Sequence, residues 1–180
     1  VFVNNIRPQA ISRLGFTYDF AKALNPEIIY AHVVGYGSDG PYSGVPAYDD
    51  TVQSISGAAS LMSHIDGNPQ PRNIPNLIAD KTTGLHLVYA ILAALLHRER
   101  TGKGQAIEIP MFESTVSFLM PENLGGAIWK PAGGDMGYPR TFHPYNRPLA
   151  TKDGYLGFMP YTNQHWKDML TIGGKANVYA

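Results

Sequence analysis

The order and spacing of the first elements constrain this chain more than any other feature. Val1-Phe2-Val3 reads as the end of a buried strand. Thr17 to Leu24 reads as a helix with Thr17 as N-cap and Asn25-Pro26 as its stop, and Ile28 to Val34 as a second strand. Strand, helix and strand in that order predict an α/β fold with a parallel, doubly wound sheet. In such sheets ligands gather at loops beyond the carboxyl ends of the strands, so the segment after Val34 is the first place to look for a site.

That segment, Val33-Val34-Gly35-Tyr36-Gly37-Ser38-Asp39-Gly40-Pro41-Tyr42, contains G-x-G-x-x-G. A dinucleotide fingerprint needs its third glycine in the first turn of a helix, where backbone N–H groups face a pyrophosphate. Here Pro41 and Pro46 bracket Tyr42-Ser43-Gly44-Val45, and no helical pattern begins before about Tyr48. The glycines therefore open a turn-rich loop, and the motif outside its strand–turn–helix context is weak.

Downstream, a helix from about Asp49 to Ser60 is expected to present Val52, Ile55 and Ala59 inward, before a loop through Asp66-Gly67-Asn68-Pro69. The best-defined helix runs from about Lys81 to Arg100, with Leu85, Val88, Leu92, Leu95 and Leu96 on its apolar face and Gly102 as its stop. Gln105 to Ile109 reads as a strand and Phe112 to Leu119 as a helix. Residues 1–124 form part of a large α/β domain, and residues 125–150 a glycine- and proline-rich linker or active-site loop. Residues 151–180 open a smaller α+β domain, with a strand at Gly154 to Tyr161 and a helix at Gln164 to Ile172. A start at Val1, directly in a strand, and a new element begun near the end read as an internal segment of a longer protein.

Charge and cysteine content narrow the partners. The 14 basic residues balance 14 acidic ones without runs of like charge, so neither a nucleic-acid footprint nor a membrane-surface patch is expected. The longest apolar run, Leu85 to Leu96, is interrupted by His86 and Tyr89 and too short to span a bilayer. Absence of Cys removes disulfides, thiolate nucleophiles and Cys-ligated zinc, and fits a reducing, cytoplasmic location. A small molecule or another protein is the expected partner, with no metal.

Among residues that carry chemistry, Asp80 stands where the long helix begins. From the residues alone it suits first a helix cap, where an Asp side chain accepts N–H bonds, and second a carboxylate nucleophile at a helix start, with the missing bulk of Gly84 admitting a ligand; both can hold at once. His86 and His97 lack the i, i+4 spacing of a zinc helix. The adjacent Asp49-Asp50 suit the N-terminus of their own helix. Trp129, Tyr138, Phe142 and Tyr145, interleaved with prolines, either line a pocket or pack a linker.

As a set, Asn5-Ile6-Arg7-Pro8, Asn25-Pro26-Glu27-Ile28-Ile29-Tyr30, Gly35-Tyr36-Gly37-Ser38-Asp39-Gly40-Pro41-Tyr42, Ala47-Tyr48-Asp49, Ala79-Asp80 and Arg100-Thr101-Gly102-Lys103-Gly104-Gln105 resemble the family III CoA-transferases. These are the CaiB/BaiF-like proteins, the formyl-CoA transferase and carnitine CoA-transferase group. The likeness runs in order over about residues 1 to 120, and Asp153-Gly154-Tyr155-Leu156 and Trp166 agree with the start of that family's small domain.

The resemblance implies a Rossmann-like large domain that binds coenzyme A. It implies transfer of CoA from an acyl-CoA thioester to a carboxylic acid through covalent intermediates on an aspartate, here Asp80. It assigns CoA contacts to Asn5, Ile6, Arg7, Arg13, Val45, Pro46, Ala47 and Tyr48, and it implies a homodimer of interlocked subunits. Two departures weigh against oxalate and formate as substrates: Pro46 replaces a basic residue, and Gly133-Gly134-Asp135-Met136-Gly137 lacks that group's consecutive glycines. The same family includes α-methylacyl-CoA racemases, in which a histidine stands at the place of Tyr48; a tyrosine is a poor base near neutral pH. A non-catalytic CoA-binding fragment is the remaining alternative.

Overall fold

The computed structural model describes residues 1–179. The chain parts into two compact units, Val1–Pro139 and a second that begins at Arg140, a division inside the 125–150 passage.

The first unit opens with β1 (Phe2–Asn4), two short helices, α1 (Pro8–Arg13) and α2 (Tyr18–Leu24), and β2 (Ile29–Val34). α2 begins where Thr17 accepts a hydrogen bond from the Phe20 N–H, as the cap reading predicts. α1 is an addition to the sequence reading; Pro8 at its start is the signal that was available, since a proline there loses no helical hydrogen bond. β1 and β2 pair in parallel, Phe2 opposite Tyr30 and Asn4 opposite His32. The Tyr30 ring stacks on Phe2, and its hydroxyl donates to Phe16 O at 2.7 Å, tying the connection after α1 to the sheet.

After β2 come the glycine loop, α3 (Asp49–Ile55), α4 (Ala58–Asp66), α5 (Ile78–Thr101), β3 (Gln105–Pro110) and α6 (Met111–Asn123). β3 joins β2 in parallel, Ile29 opposite Gln105 and Val34 opposite Pro110, giving the strand order β1-β2-β3. The architecture is mixed α/β on a parallel sheet, and these three strands run through one direction of winding. Ile29, Ala31, Val52, Ala58 and Ala79 are wholly buried between sheet and helices.

Two helices differ from expectation. The single helix over residues 49–60 is broken at Gly57, whose φ of 86° leaves the right-handed helical region, so α3 and α4 take different directions. Val52 and Ala59 are buried, but Ile55 is exposed. α5 starts at Ile78 and is long and apolar enough, by length and composition, to cross a membrane; one face of it packs on β2, β3, α3 and α6. It buries Ala79, Thr82, Thr83 and Ala94, while Leu85, Val88, Leu92 and Leu96 face outward. The periodic leucines are thus not the sheet-facing stripe.

In the second unit, β4 (Leu149–Ala150) and β5 (Tyr155–Leu156) form a short antiparallel hairpin closed by Thr151 N–H to Gly154 O. α7 (Asn163–Ile172) is capped by Thr162, which accepts from the His165 N–H at 3.1 Å. The strand expected over residues 154–161 is confined to Tyr155–Leu156, because β4 offers only two partners.

Candidate active site

A cleft of about 680 Å³ opens at the carboxyl ends of the parallel strands, within the usual range for a small-molecule site. Asn4 and Asn5 border it from the end of β1, Val34 to Tyr36 from the end of β2, and Glu108 and Met111 from the end of β3. Residues Ser43–Tyr48 form another wall, and Asp80, Thr83, Gly84 and Leu87 line it from the first turns of α5. Asp80 and Gly84 share a helix face, being four residues apart. A Cβ built on Gly84 meets nothing within 4 Å, so the space beside Asp80 is open.

Asp80 is not the helix cap. The N-cap position is Leu77, without a side-chain cap bond, and the Asp80 side chain is exposed in the cleft. The backbone N–H of Asp80 donates to Asp49 Oδ2 at 2.9 Å. The capping task has passed to a carboxylate from α3, buried at 6% exposure. Asp49 therefore serves the start of α5 rather than only its own helix, which sequence spacing could not reveal because the two lie 31 residues apart. Asp49 Oδ1 in turn accepts from Gln53 Nε2 at 2.5 Å. Desolvation, and secondarily the negative charge of Asp49, raise the pKa of Asp80 above the ordinary carboxylate value.

Two N–H groups of the glycine loop are engaged by carboxylates. Gly37 N–H donates to Glu113 Oε1 at 3.0 Å, and Ser38 N–H to Glu108 Oε1 at 2.8 Å. These carboxylates, from α6 and β3, occupy the donors that a dinucleotide pyrophosphate would need, which agrees with the turn-rich reading of the loop. A Cβ at Gly37 would come within 2.9 Å of Glu113 Oε1, so a side chain there would push the flexible Glu113 carboxylate away from its present place.

Of the residues named from the sequence, Asn5, Arg7, Val45, Pro46, Ala47, Tyr48 and Asp80 line the one cleft. Ile6 and Arg13 do not; Arg13 sits in the last turn of α1. Ile6 nevertheless anchors the segment between β1 and α1: its carbonyl lies 2.7 Å from His32 Nε2, and its N–H donates to Asn4 Oδ1 at 3.3 Å. His32, with no assigned task in the sequence, holds this segment in place. Glu108, Glu113, Asp49 and Gln53 are the contributors that sequence reasoning missed or misassigned; each acts across a long sequence separation or from beneath the cleft. Trp129 and Tyr138, in the same unit, lie outside the lining.

Fold and cleft together define an α/β domain with a cleft of small-molecule size beyond its strand ends. The pattern of CoA-transferase family III matches residues 1–180, and the chain belongs to that family. It is 36% identical over 149 residues to the acetyl-CoA:oxalate CoA-transferase of Acetobacter aceti, covering 83% of this chain and 37% of that protein. It is 42% identical over 111 residues to the formyl-CoA:oxalate CoA-transferase of Streptomyces coelicolor, covering 62% of this chain and 26% of that protein. Among solved structures, a CaiB/BaiF family protein from Brucella suis superposes with a TM-score of 0.77 at 30% identity, over 97% of this chain and 46% of that one. The chain thus spans less than half the length of these relatives.

Proposed function

We propose that the protein transfers coenzyme A from an acyl-CoA thioester to a carboxylic acid through covalent intermediates on Asp80. The observation that carries this reading is the carboxylate of Asp80, open to the cleft beside the space at Gly84 while its backbone is held by Asp49. In the forward half-reaction the carboxylate attacks the thioester carbonyl carbon, giving a mixed anhydride and expelling the CoA thiolate. The thiolate then attacks the aspartyl carbonyl, releasing the first acid and leaving an aspartyl–CoA thioester. The acceptor carboxylate attacks that thioester, and the freed thiolate takes the new acyl group, regenerating Asp80. Each step exchanges one acyl bond for another and needs no redox partner.

Asn5, Arg7 and Val45 to Tyr48 are proposed to hold CoA, with the Arg7 guanidinium suited to a phosphate. Ile6 and His32 set the position of Arg7 from behind. The anhydride and thioester are open to hydrolysis, so water has to be excluded during turnover. A homodimer of interlocked subunits would supply cover that this chain lacks, and the outward leucine face of α5 supports that assembly. A cytoplasmic location goes with the cysteine-free composition.

The test is mass spectrometry of the full-length protein after incubation with acetyl-CoA or formyl-CoA, with oxalate as the trial acceptor. A CoA adduct on the peptide containing Asp80, discharged by an acceptor acid, is expected. An adduct on another residue would displace Asp80. Rapid exchange of the α-proton of a 2-methylacyl-CoA with deuterated solvent, without an acceptor, would instead support the racemase reading.

A further inference from the structure

We infer that Gln53 is a positioning residue for Asp80, its side-chain amide locking both the Asp49 carboxylate and the Ile74–Asn76 segment that leads into α5. The inference rests on Asp80 being the nucleophile. Gln53 lies on α3, one turn after Asp49, and is 1% exposed. Its Nε2 donates to Asp49 Oδ1 at 2.5 Å and to Asn76 O at 2.9 Å, while its Oε1 accepts from the Ile74 N–H at 2.8 Å. A primary amide has two donor hydrogens and an acceptor oxygen, and this site uses both kinds at once.

The consequence reaches Asp80 by two routes. The first is through Asp49: with Oδ1 held by Gln53, its Oδ2 is aimed at the Asp80 N–H. The second is through the backbone: residues 74 and 76 are tied to α3 immediately before the helix that carries Asp80. Gln53 does not line the cleft, so it acts on the nucleophile and not on the ligand. Buried amide networks of this kind hold one geometry when fully satisfied and lose it when one member cannot pair. Glu is the same size but, ionised, has no donor and sets a second charge against Asp49; Met keeps the length and offers no polar atom for these bonds.

The experiment compares Gln53→Glu, Gln53→Met and Asp80→Asn in the full-length protein, reading kcat, KM for acetyl-CoA and the rate of adduct formation on Asp80. Expected is a fall in kcat of roughly 10²-fold in both Gln53 variants, as for a small misplacement of a reacting group. KM for acetyl-CoA stays near the wild-type value, and the adduct rate falls in step with kcat. A merely structural role would lower the folded fraction and leave the kcat per folded molecule unchanged. The proposal is overturned by wild-type kcat in either folded variant, by a KM that rises as kcat falls, or by failure of both variants to fold. Wild-type turnover in Asp80→Asn would overturn the nucleophile assignment itself. An inactive Asp80→Asn beside fully active Gln53 variants would overturn the Gln53 proposal alone.

Discussion

Asp80 and Leu92 lie on the same helix, about three turns apart, and their surroundings are built in opposite ways. Around Asp80 the supporting polar groups are paired within the unit: Asp49 with Gln53 and the Asp80 N–H, Gln53 with the backbone before the helix, Glu108 and Glu113 with the glycine loop. Around Leu92, which is 60% exposed, Leu85, Val88, Tyr89 and Leu96 also stand exposed on the outward face of α5. The first region finds its partners inside the unit, because a hydrogen bond needs only one donor and one acceptor within reach and the folded chain supplies both. The second does not, because hydrophobic stabilisation needs a second surface, and each large side chain left in water forgoes roughly 1.5–3 kcal/mol.

The comparison breaks most decisively at Asp80. Asp80→Asn in the full-length protein is expected to lower CoA transfer by roughly 10⁴-fold or more, the scale of losing a covalent nucleophile, with thermal stability nearly kept. Steady-state rates and a melting curve check both halves. Near-normal transfer would move the nucleophile elsewhere.

A pair of truncations sharpens the contrast between covered and uncovered surface. Ile29, wholly buried on β2, is expected to cost about 2–5 kcal/mol as Ile29→Ala. Leu92→Ala is expected to cost a similar ~2–5 kcal/mol in the full-length protein if the proposed interlocked dimer covers α5. An effect within about 0.5 kcal/mol, as at an ordinary surface position, would mean that the face remains in water. Denaturant titration of both variants decides between these outcomes.

Gly84 joins the two regions, since it is a helical residue inside the cleft lining. Gly84→Ala is expected to stabilise the helix by up to about 1 kcal/mol while lowering kcat/KM for acyl-CoA, as its methyl group enters the open space beside Asp80. A rise in stability without loss of activity would show that the ligand passes elsewhere.

The smallest effect concerns pH. Because the pKa of Asp80 is raised in the folded chain, the folded state binds more protons than the unfolded state in the window that opens at the ordinary carboxylate pKa. Ionising Asp80 then works against folding as pH rises through that window. Asp80→Asn removes this opposition, so the variant's Tm should gain on the wild type above the window and match it below. The gain is small, since Asp80 is exposed to solvent. A Tm difference independent of pH would remove the linkage.

Patterns of short range were legible in the sequence. The strands β2 and β3, the α2 cap at Thr17, the Gly102 stop of α5 and the turn character of the glycine loop follow from apolar runs, capping chemistry and proline spacing, all of which act within a few residues, and the parallel pairing follows from the order strand, helix, strand. Asn5, Arg7, Val45 to Tyr48 and Asp80 were named through resemblance, and they line one cleft. The break at Gly57 escaped because the apolar pattern continues through it, although a glycine in the left-handed region there ends α3 as Gly102 ends α5.

By itself, the sequence determined where the strands of the first unit and most of the helices lie, and that the chain is α/β with a carboxylate at the start of its longest helix. Tertiary structure alone decided which face of α5 meets the sheet, which carboxylate holds the Asp80 backbone, and which groups occupy the N–H donors of the glycine loop. The reason is physical. Leucine periodicity reports an apolar stripe but not the surface it meets, and in the folded unit it is Ala79, Thr82, Thr83 and Ala94 that are buried. Hydrogen bonds between Asp49 and Asp80, or Gly37 and Glu113, join positions far apart along the chain, and only the folded backbone brings such donors and acceptors within reach.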